Sequence, residues 1–172
     1  MLQSLSCSVV ALGLRKAGVA DSLSMPYQHL LVPSDGTRQS DAALAQAIGL
    51  AKALGAKLTL LHVQPPLPVS LIGMGDMLDP ATIESLSALA ERESGRILQE
   101  ARAAGVAQGL DIQTEVLHND LPHRAIVEAA QRHGCDLILM ASHGRKGLSG
   151  LLLGSETQRV LLHATVPVLV VR

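Results

Sequence analysis

A glycine-rich segment that follows an apolar run is the first part of this chain whose residue types can do chemistry. The segment, ILMASHGRKGLSGLLLGSETQRV, spans residues 138–160, and its glycines at 144, 147, 150 and 154 lead to Ser155. Glycines let backbone N–H groups approach phosphate oxygens, and the amino end of a helix attracts anions. We therefore predict a phosphate-binding loop before a helix at 155–164; a glycine-rich loop without a ligand is the alternative. The segment matches neither GxxxxGK[ST] nor GxGxxG, which excludes a P-loop and a dinucleotide-binding turn.

A carboxylate after the first predicted strand is the second candidate. Asp35 lies in the stretch VPSDGT, residues 32–37, directly beyond the apolar run HLLVPS. A carboxylate at the end of a central strand can accept hydrogen bonds from a ribose hydroxyl or an adenine amino group. An Asx-turn that leads into the next helix is the alternative interpretation.

Other chemistry finds little support in the residue pattern. The chain has seven histidines but no HExxH or Cys-x2-Cys spacing, so we predict no metal site. A hydrolase built from Ser34, Asp35 and His143 would lack the GxSxG elbow, and adjacent serine and aspartate cannot easily flank one imidazole. We predict no catalytic residues, because no general base for attack on a phosphate is evident.

The composition excludes several classes of partner. The formal net charge is −1 and the chain has one aromatic residue, Tyr27, so neither charge nor base stacking favours nucleic acid or an anionic membrane surface. No apolar run is long enough to span a bilayer. The two cysteines, Cys7 and Cys135, predict no disulfide framework and fit a cytoplasmic protein.

The remaining pattern alternates short apolar runs with helical periodicity. It predicts strands at 29–34, 57–63, 111–118, 136–141 and 166–171, and helices that begin near Ser40 and at 79–104, 121–133 and 155–164. Ser40 and Asp79 are the predicted helix caps, and Ser155 with Gln158 has the spacing of a capping box. Such alternation indicates an α/β domain with a mostly parallel, Rossmann-like sheet covered by helices on both faces, whose ligands bind beyond the carboxyl ends of the strands.

The two ends of the chain need separate treatment. Residues 1–24 show no helical or strand period, so we predict a poorly ordered extension before a single domain at 25–172, with Met25 as an alternative start of translation. The last strand, VPVLVV, is apolar on both faces and lies at a sheet edge, which is an aggregation hazard unless it is covered. We predict a homodimer in which a second copy of this strand pairs antiparallel across a twofold axis. The loop 64–78 or the N-terminal extension is the alternative cover.

These stretches together resemble the universal stress protein family. The family's glycine signature, Gly-x2-Gly-x9-Gly-Ser/Thr, corresponds here to Ala141, Gly144, Gly154 and Ser155, with the first glycine replaced by alanine. LVPSDGT, LTLLHV, LPHRAI, CDLILMASHGRKGL and HATVPVLVVR match further family stretches in the right order. The resemblance covers residues 26–172.

The resemblance implies five parallel strands in the order 3-2-1-4-5, a homodimer, and an ATP site in the members that bind nucleotide, with Mg²⁺ held through the phosphates. Carried over by position, Pro33, Asp35 and Val63 surround adenine and ribose, and Gly144, Gly154 and Ser155 hold the phosphates. The full set of expected ligand residues is Pro33, Ser34, Asp35, Val63, Met140, Ala141, Gly144, Gly154, Ser155 and Glu156. The function that follows is that of a nucleotide-binding regulatory protein with at most slow ATP hydrolysis. Because the methyl group of Ala141 takes space and restricts φ, and because some members do not bind ATP, a non-nucleotide-binding dimeric interaction protein is the alternative.

Overall fold

The computed structural model describes residues 10–12, 27–66, 79–142 and 153–172. Residues 67–78 of the predicted loop 64–78 and the predicted phosphate ligand Gly144 lie outside these ranges. Within them, no helix has both the length and the apolar character that crossing a bilayer requires.

One six-stranded sheet forms the centre of the fold. Its strands are β1 (Val10–Leu12), β2 (His29–Ser34), β3 (Lys57–Gln64), β4 (Ile112–His118), β5 (Leu137–Ala141) and β6 (Val168–Val171). They lie in the order β1-β6-β5-β2-β3-β4, and every pair is parallel except β1 with β6. Counted without β1, this is the order 3-2-1-4-5 and confirms the predicted Rossmann-like fold.

Four described helices cover the two faces of the sheet, as short connections between parallel strands require. They are α1 (Arg38–Leu54), α2 (Pro80–Ala107), α3 (Pro122–Arg132) and α4 (Ser155–His163). α1 and α2 pack on one face, and a first core cluster forms there around Leu30, Leu58 and Ile48. α3 and α4 pack on the other face over a second cluster around Leu31 and Ile138. Each strand of the centre is therefore buried on both sides.

The N-terminal strand was not predicted. We predicted residues 1–24 as a poorly ordered extension, and within this range Val10–Leu12 pairs with the outer edge of β6. Val10–Leu12, a part of the N-terminal extension that the sequence offered as an alternative cover, thus lies on the edge that the sequence identified as exposed. The domain boundary at residue 25 stays a prediction.

Two predicted helix caps are wrong by a few residues. α1 is capped by Thr37, whose hydroxyl accepts from the Ser40 N–H at 3.3 Å, so Ser40 lies inside the helix. α4 has Gly154 as its N-cap, and the Gln158 side chain donates to the Leu153 carbonyl at 2.8 Å instead of closing a capping box. Asp79 caps α2 as predicted, and its carboxylate accepts from the Thr82 N–H at 2.9 Å.

The turn between β2 and α1 has no room for a side chain at its third residue. Gly36 has φ +75°, and a Cβ built there would lie 2.7 Å from Cδ1 of Ile97 on α2. L-residues rarely adopt this φ, and Ile97 is buried and cannot easily withdraw. Close contact between the turn and α2 therefore depends on glycine at position 36.

Gly36→Ala should lower the free energy of unfolding by about 1–3 kcal/mol, from left-handed backbone strain together with displacement of Ile97. The matched control is Gly49→Ala, since Gly49 lies in α1 with nothing within 4 Å of a built Cβ. The control should raise stability by about 0.5–1 kcal/mol, because alanine is the better helix former. Urea unfolding measures both, and equal effects of the two substitutions would contradict the packing of this turn.

A half-buried histidine at the amino end of the sheet makes stability depend on pH. Burial is the main cause that lowers the pKa of His29, and the nearby charges of His133 and Lys57 lower it further. Its Nε2 lies 2.8 Å from the hydroxyl of Thr59. Since the unfolded chain binds a proton more readily than the folded chain, the contribution of this group is present above the ordinary pKa of 6.5 and is lost as the pH falls below it.

His29→Gln should therefore flatten the dependence of stability on pH between about pH 7 and 5. Glutamine can keep a hydrogen bond to Thr59 but does not titrate. His118→Gln, at an exposed position at the end of β4, is the control and should keep the wild-type slope. Thermal unfolding across this range measures the slopes, and an unchanged slope in His29→Gln would rule out its contribution.

Candidate functional site

The predicted ligand residues that the structure describes gather at the carboxyl edge of the sheet. β2 pairs with β3 on one side and with β5 on the other, so the ends of these three strands lie side by side. Two connections leave from this edge: the turn from β2 into α1 and the segment from β5 to α4. They form the two halves of the candidate site.

The first half is the turn that begins at Ser34. The Asp35 carboxylate accepts from the Thr37 N–H at 3.1 Å and from the Thr37 hydroxyl at 2.7 Å, which is the Asx-turn that the sequence offered as an alternative. The Ser34 hydroxyl donates to Ser40 at 3.1 Å and accepts from the Gly36 N–H at 3.2 Å. Asp35 is thus held in one orientation at the end of the central strand.

A buried histidine supports this turn from the neighbouring strand. The Nδ1 of His62 lies 2.8 Å from the carbonyl oxygen of Ser34, and His62 is 4% exposed. Because a carbonyl can only accept, Nδ1 must carry the proton in this contact. The register pairs Ser34 with His62, which places the ring directly beside the start of the turn.

The second half is the amino end of α4, which is fastened to the end of β5. The Gly154 N–H donates to the Ser142 carbonyl at 2.8 Å, and the Thr157 hydroxyl donates to the carbonyls of Ala141 and Ser142 at 3.1 and 3.3 Å. Ser142 in turn donates its N–H to the Val171 carbonyl at 2.8 Å. The first turn of α4 therefore stands at a fixed place beyond β5, although most of the loop between them lies outside the described residues.

The N-cap of α4 has no side chain with which to cap the helix. Gly154 has φ −58° and ψ 151°, a conformation open to any residue, so backbone freedom is not what position 154 needs. A glycine cap leaves the main-chain N–H groups of the first helical turn without a side-chain acceptor from that residue. Ser155 follows as the first helical residue and is exposed.

The alanine that replaces the first motif glycine belongs to β5. Ala141 is in extended strand conformation, so its backbone does not need glycine. Its side chain packs against the first core cluster, on the face covered by α1 and α2. The methyl group therefore points into the protein core on that face.

The apolar residues of the predicted site face the opposite layer. Val63 is half-buried and packs against the second core cluster, and Met140 belongs to this cluster with 6% of its surface exposed. Pro33 is half-buried and, by strand alternation, shares this face with its neighbour Leu31. Of the three, Pro33 and Val63 retain accessible surface near the strand ends.

Glu156 has a structural use of its own. One of its carboxylate oxygens accepts from the main-chain N–H of His123 at 3.1 Å and lies 3.3 Å from the His123 ring. The other accepts from Arg159 at 2.7 Å. Since the N-cap of α3, Leu121, provides no side-chain cap, Glu156 serves as the acceptor there and joins α3 to α4.

Sequence reasoning missed four residues that hold the site together: Thr37, His62, His123 and Thr157. Thr37 had a visible signal, since it lies two residues after Asp35 at Asx-turn spacing. The other three act on main-chain groups or carboxylates far away in the chain, which spacing alone does not reveal. Across the described ranges, no three His, Cys, Asp or Glu residues are grouped so that they could hold a metal ion.

Comparison with known proteins identifies relatives of this chain in sequence and in fold. The sequence profile of the universal stress protein family matches residues 26–172. A universal stress protein of Methanocaldococcus jannaschii, MJ0531, is 34% identical over 147 residues, which cover 85% of this chain and 82% of that protein. The solved structure of universal stress protein UspA from Lactobacillus plantarum is 26% identical, covers 85% of this chain and 98% of its own, and has a TM-score of 0.70.

A third relative was solved with a ligand. The crystal structure of a universal stress protein in complex with cAMP is 27% identical, covers 86% of this chain and 98% of its own, and has a TM-score of 0.60. The profile match, the identity to MJ0531 and the shared fold agree with one another. The chain belongs to the universal stress protein family.

Proposed function

We propose that this chain is a regulatory stress-response protein that binds an adenine nucleotide, ATP with Mg²⁺, at the carboxyl edge of its sheet. The observation that carries the proposal is the pairing of two features there: the fixed carboxylate of Asp35 and the amino end of α4 behind a glycine cap. One suits the hydroxyl and amino donors of adenosine, and the other suits phosphate oxygens.

In this arrangement the adenosine part lies against the ends of β2 and β3. Pro33 and Val63 offer apolar surface to the base, and Asp35 accepts from ribose or from the adenine amino group. Ser34 contributes through its position in the turn, since its hydroxyl already bonds to Ser40 and Gly36. Met140 lies deeper and supports the apolar floor.

The phosphates lie at the first turn of α4. The main-chain N–H groups that follow Gly154, the hydroxyl of Ser155 and the positive end of the helix dipole favour an anion there. Gly144, from the part of the chain outside the described residues, completes the proposed phosphate ligands. Mg²⁺ comes with the phosphates and needs no cage of protein ligands. Glu156 we assign to positioning α4, because its carboxylate bonds to His123 and Arg159.

Two observations support the nucleotide. The relative crystallised with cAMP shows that a protein of this fold and similar sequence carries an adenine nucleotide. In this chain, the extended backbone of Ala141 and the packing of its half-buried side chain against the first core cluster reduce the steric objection to the missing glycine. ATP is the specific nucleotide that we propose.

We also propose that this protein is cytoplasmic. We propose further that it can form a homodimer through β6. Burial raises the pKa of the Cys135 thiol to about 12, so this cysteine stays protonated and unreactive at neutral pH. The proposed dimer needs the outer edge of β6, where β1 lies in the structure.

ATP with Mg²⁺ should raise the melting temperature of the wild type, because a ligand that binds only the folded state stabilises it. At 100 times the dissociation constant the gain is about 2.7 kcal/mol, or roughly 5–10 °C for a chain of this size. Gly154→Val should abolish the rise by blocking phosphate approach. Its backbone angles accept valine, so the variant should fold. Differential scanning fluorimetry measures the melting temperatures.

Gly49→Val, on the exposed side of α1, is the matched control and should keep the full rise with ATP. A parallel series with AMP and cAMP distinguishes ATP from other adenine nucleotides. An unchanged melting temperature of the wild type at millimolar MgATP would contradict nucleotide binding and favour the dimeric interaction protein.

Thr37→Ala should weaken ATP binding about five- to tenfold, because the Asp35 carboxylate loses its hydroxyl partner and becomes less well oriented, a loss of about 1 kcal/mol. Thr37→Ser keeps that donor and the cap of α1, and should bind like the wild type. Loss of the cap also lowers the stability of Thr37→Ala, so the readout is the dissociation constant from calorimetry. A wild-type dissociation constant in Thr37→Ala would show that orientation of Asp35 does not matter for binding.

A further inference from the structure

The outer edge of β6 carries a strand from the far end of the chain. β1 pairs antiparallel with β6, with Val10 opposite Val170 and Leu12 opposite Val168. All other pairs in the sheet are parallel and belong to the alternating α/β pattern. β1 is therefore an addition to a sheet that already has its complete set of parallel strands.

The hydrogen bonds of β6 show which groups face β1. The carbonyls of Pro167 and Val171 accept from the N–H groups of Ile138 and Ser142, at 3.0 and 2.8 Å, on the β5 side. In a strand, the N–H and C=O groups of one residue point to the same side, and successive residues alternate between sides. The main-chain groups of Val168 and Val170 therefore point away from β5, toward β1. Without β1, the main-chain groups of Val168 and Val170 would be the unpaired groups of a sheet edge.

The same alternation fixes the orientation of β1. Val168 and Val170 point outward, so their partners Leu12 and Val10 point their main-chain N–H and C=O groups toward β6. Ala11 between them points its N–H away from the sheet. Two residues of β1 therefore make its pairing bonds, and the third makes none.

The connection to the rest of the domain is long enough for pairing within one chain. Leu12 lies beside Val168, Val168 beside Ile138, and Ile138 beside Leu31, which is three strand spacings or about 14 Å. Since β1 is antiparallel, Leu12 is at the amino end of the sheet, where β2 also begins. The number of residues between Leu12 and Leu31 allows a reach of several times this distance when extended, so the chain is long enough for β1 and β6 of one molecule to pair.

We propose that β1 is a displaceable internal strand that competes with a second copy of this chain for the outer edge of β6, the edge through which the proposed homodimer pairs. A twofold axis beside β6 places the second copy antiparallel, the same orientation that β1 has now. The edge can hold one strand at a time, so β1 and the second copy compete. This inference rests on the proposed homodimer, and it adds what controls the dimer.

The effective concentrations of the two competing strands determine which of them occupies the edge of β6. A strand held in the same chain as its binding edge has an effective concentration on the order of millimolar, whereas a second copy at micromolar concentration is about a thousandfold more dilute. If β1 and the β6 of a second copy have similar intrinsic affinities for the edge, β1 occupies it and the chain does not dimerise there. Weakening β1 should therefore lower the dimer dissociation constant by about 100-fold or more.

The test uses the full chain with prolines in β1. Val10→Pro combined with Leu12→Pro removes both donors that face β6, whereas Ala11→Pro removes an N–H that faces away and is the matched control. By sedimentation velocity at micromolar concentrations, we expect the wild type and Ala11→Pro to be monomers and the double variant to be a dimer. A monomeric double variant, or a wild type that is already a dimer over the same range, would overturn the proposal.

Hydrogen exchange at the amides of Val168 and Val170 gives a second readout. In the wild type their protection should not depend on protein concentration, and in the double variant it should rise with concentration. Concentration-dependent protection in the wild type would also overturn the proposal. The rise in melting temperature with MgATP, measured on the same samples, reports nucleotide binding separately, so failure of this inference and failure of the proposed function can be told apart.

Discussion

The turn after the central strand has to fit against α2, and much of the structure depends on this contact. Gly36 brings the turn so close to Ile97 that no side chain fits between them. The approach fixes the start of α1 at Thr37 and, through the same threonine, fixes the carboxylate of Asp35. The backbone conformation at Gly36 therefore determines both how the turn packs against the first core cluster and how the carboxylate of Asp35 is oriented.

The second half of the site, the amino end of α4, is also held in place by contacts at a strand end, that of β5. Hydrogen bonds from Gly154 and Thr157 hold the amino end of α4 against the last residues of β5, and Glu156 ties it to α3. A ligand that bridges the two halves would meet groups that are already oriented, which reduces the entropy lost on binding.

The sequence predicted the elements that depend on local patterns and missed those that depend on register. Apolar runs of four to eight residues separated by helical periods were enough to place the five parallel strands along the chain. Their order in the sheet was implied by the family resemblance. Asp35 and Gly154 were found because they lie directly beyond such elements. His62 was not, since its partner is a carbonyl on the adjacent strand, and β1 was not, since three residues show too little alternation to be recognised. The cap of α1 was placed at Ser40 because both Ser40 and Thr37 are good capping residues, and only geometry separates them.

Photoaffinity labelling with an azidoadenine analogue of ATP tests most directly whether a nucleotide lies at this edge with its base on β2 and β3. Trypsin cleaves this chain into peptides 17–38, which contains Pro33 and Asp35, and 58–92, which contains Val63. The label should appear in these two peptides and should disappear when excess ATP competes. Labelling that is confined to other peptides, or that excess ATP does not reduce, would contradict the site.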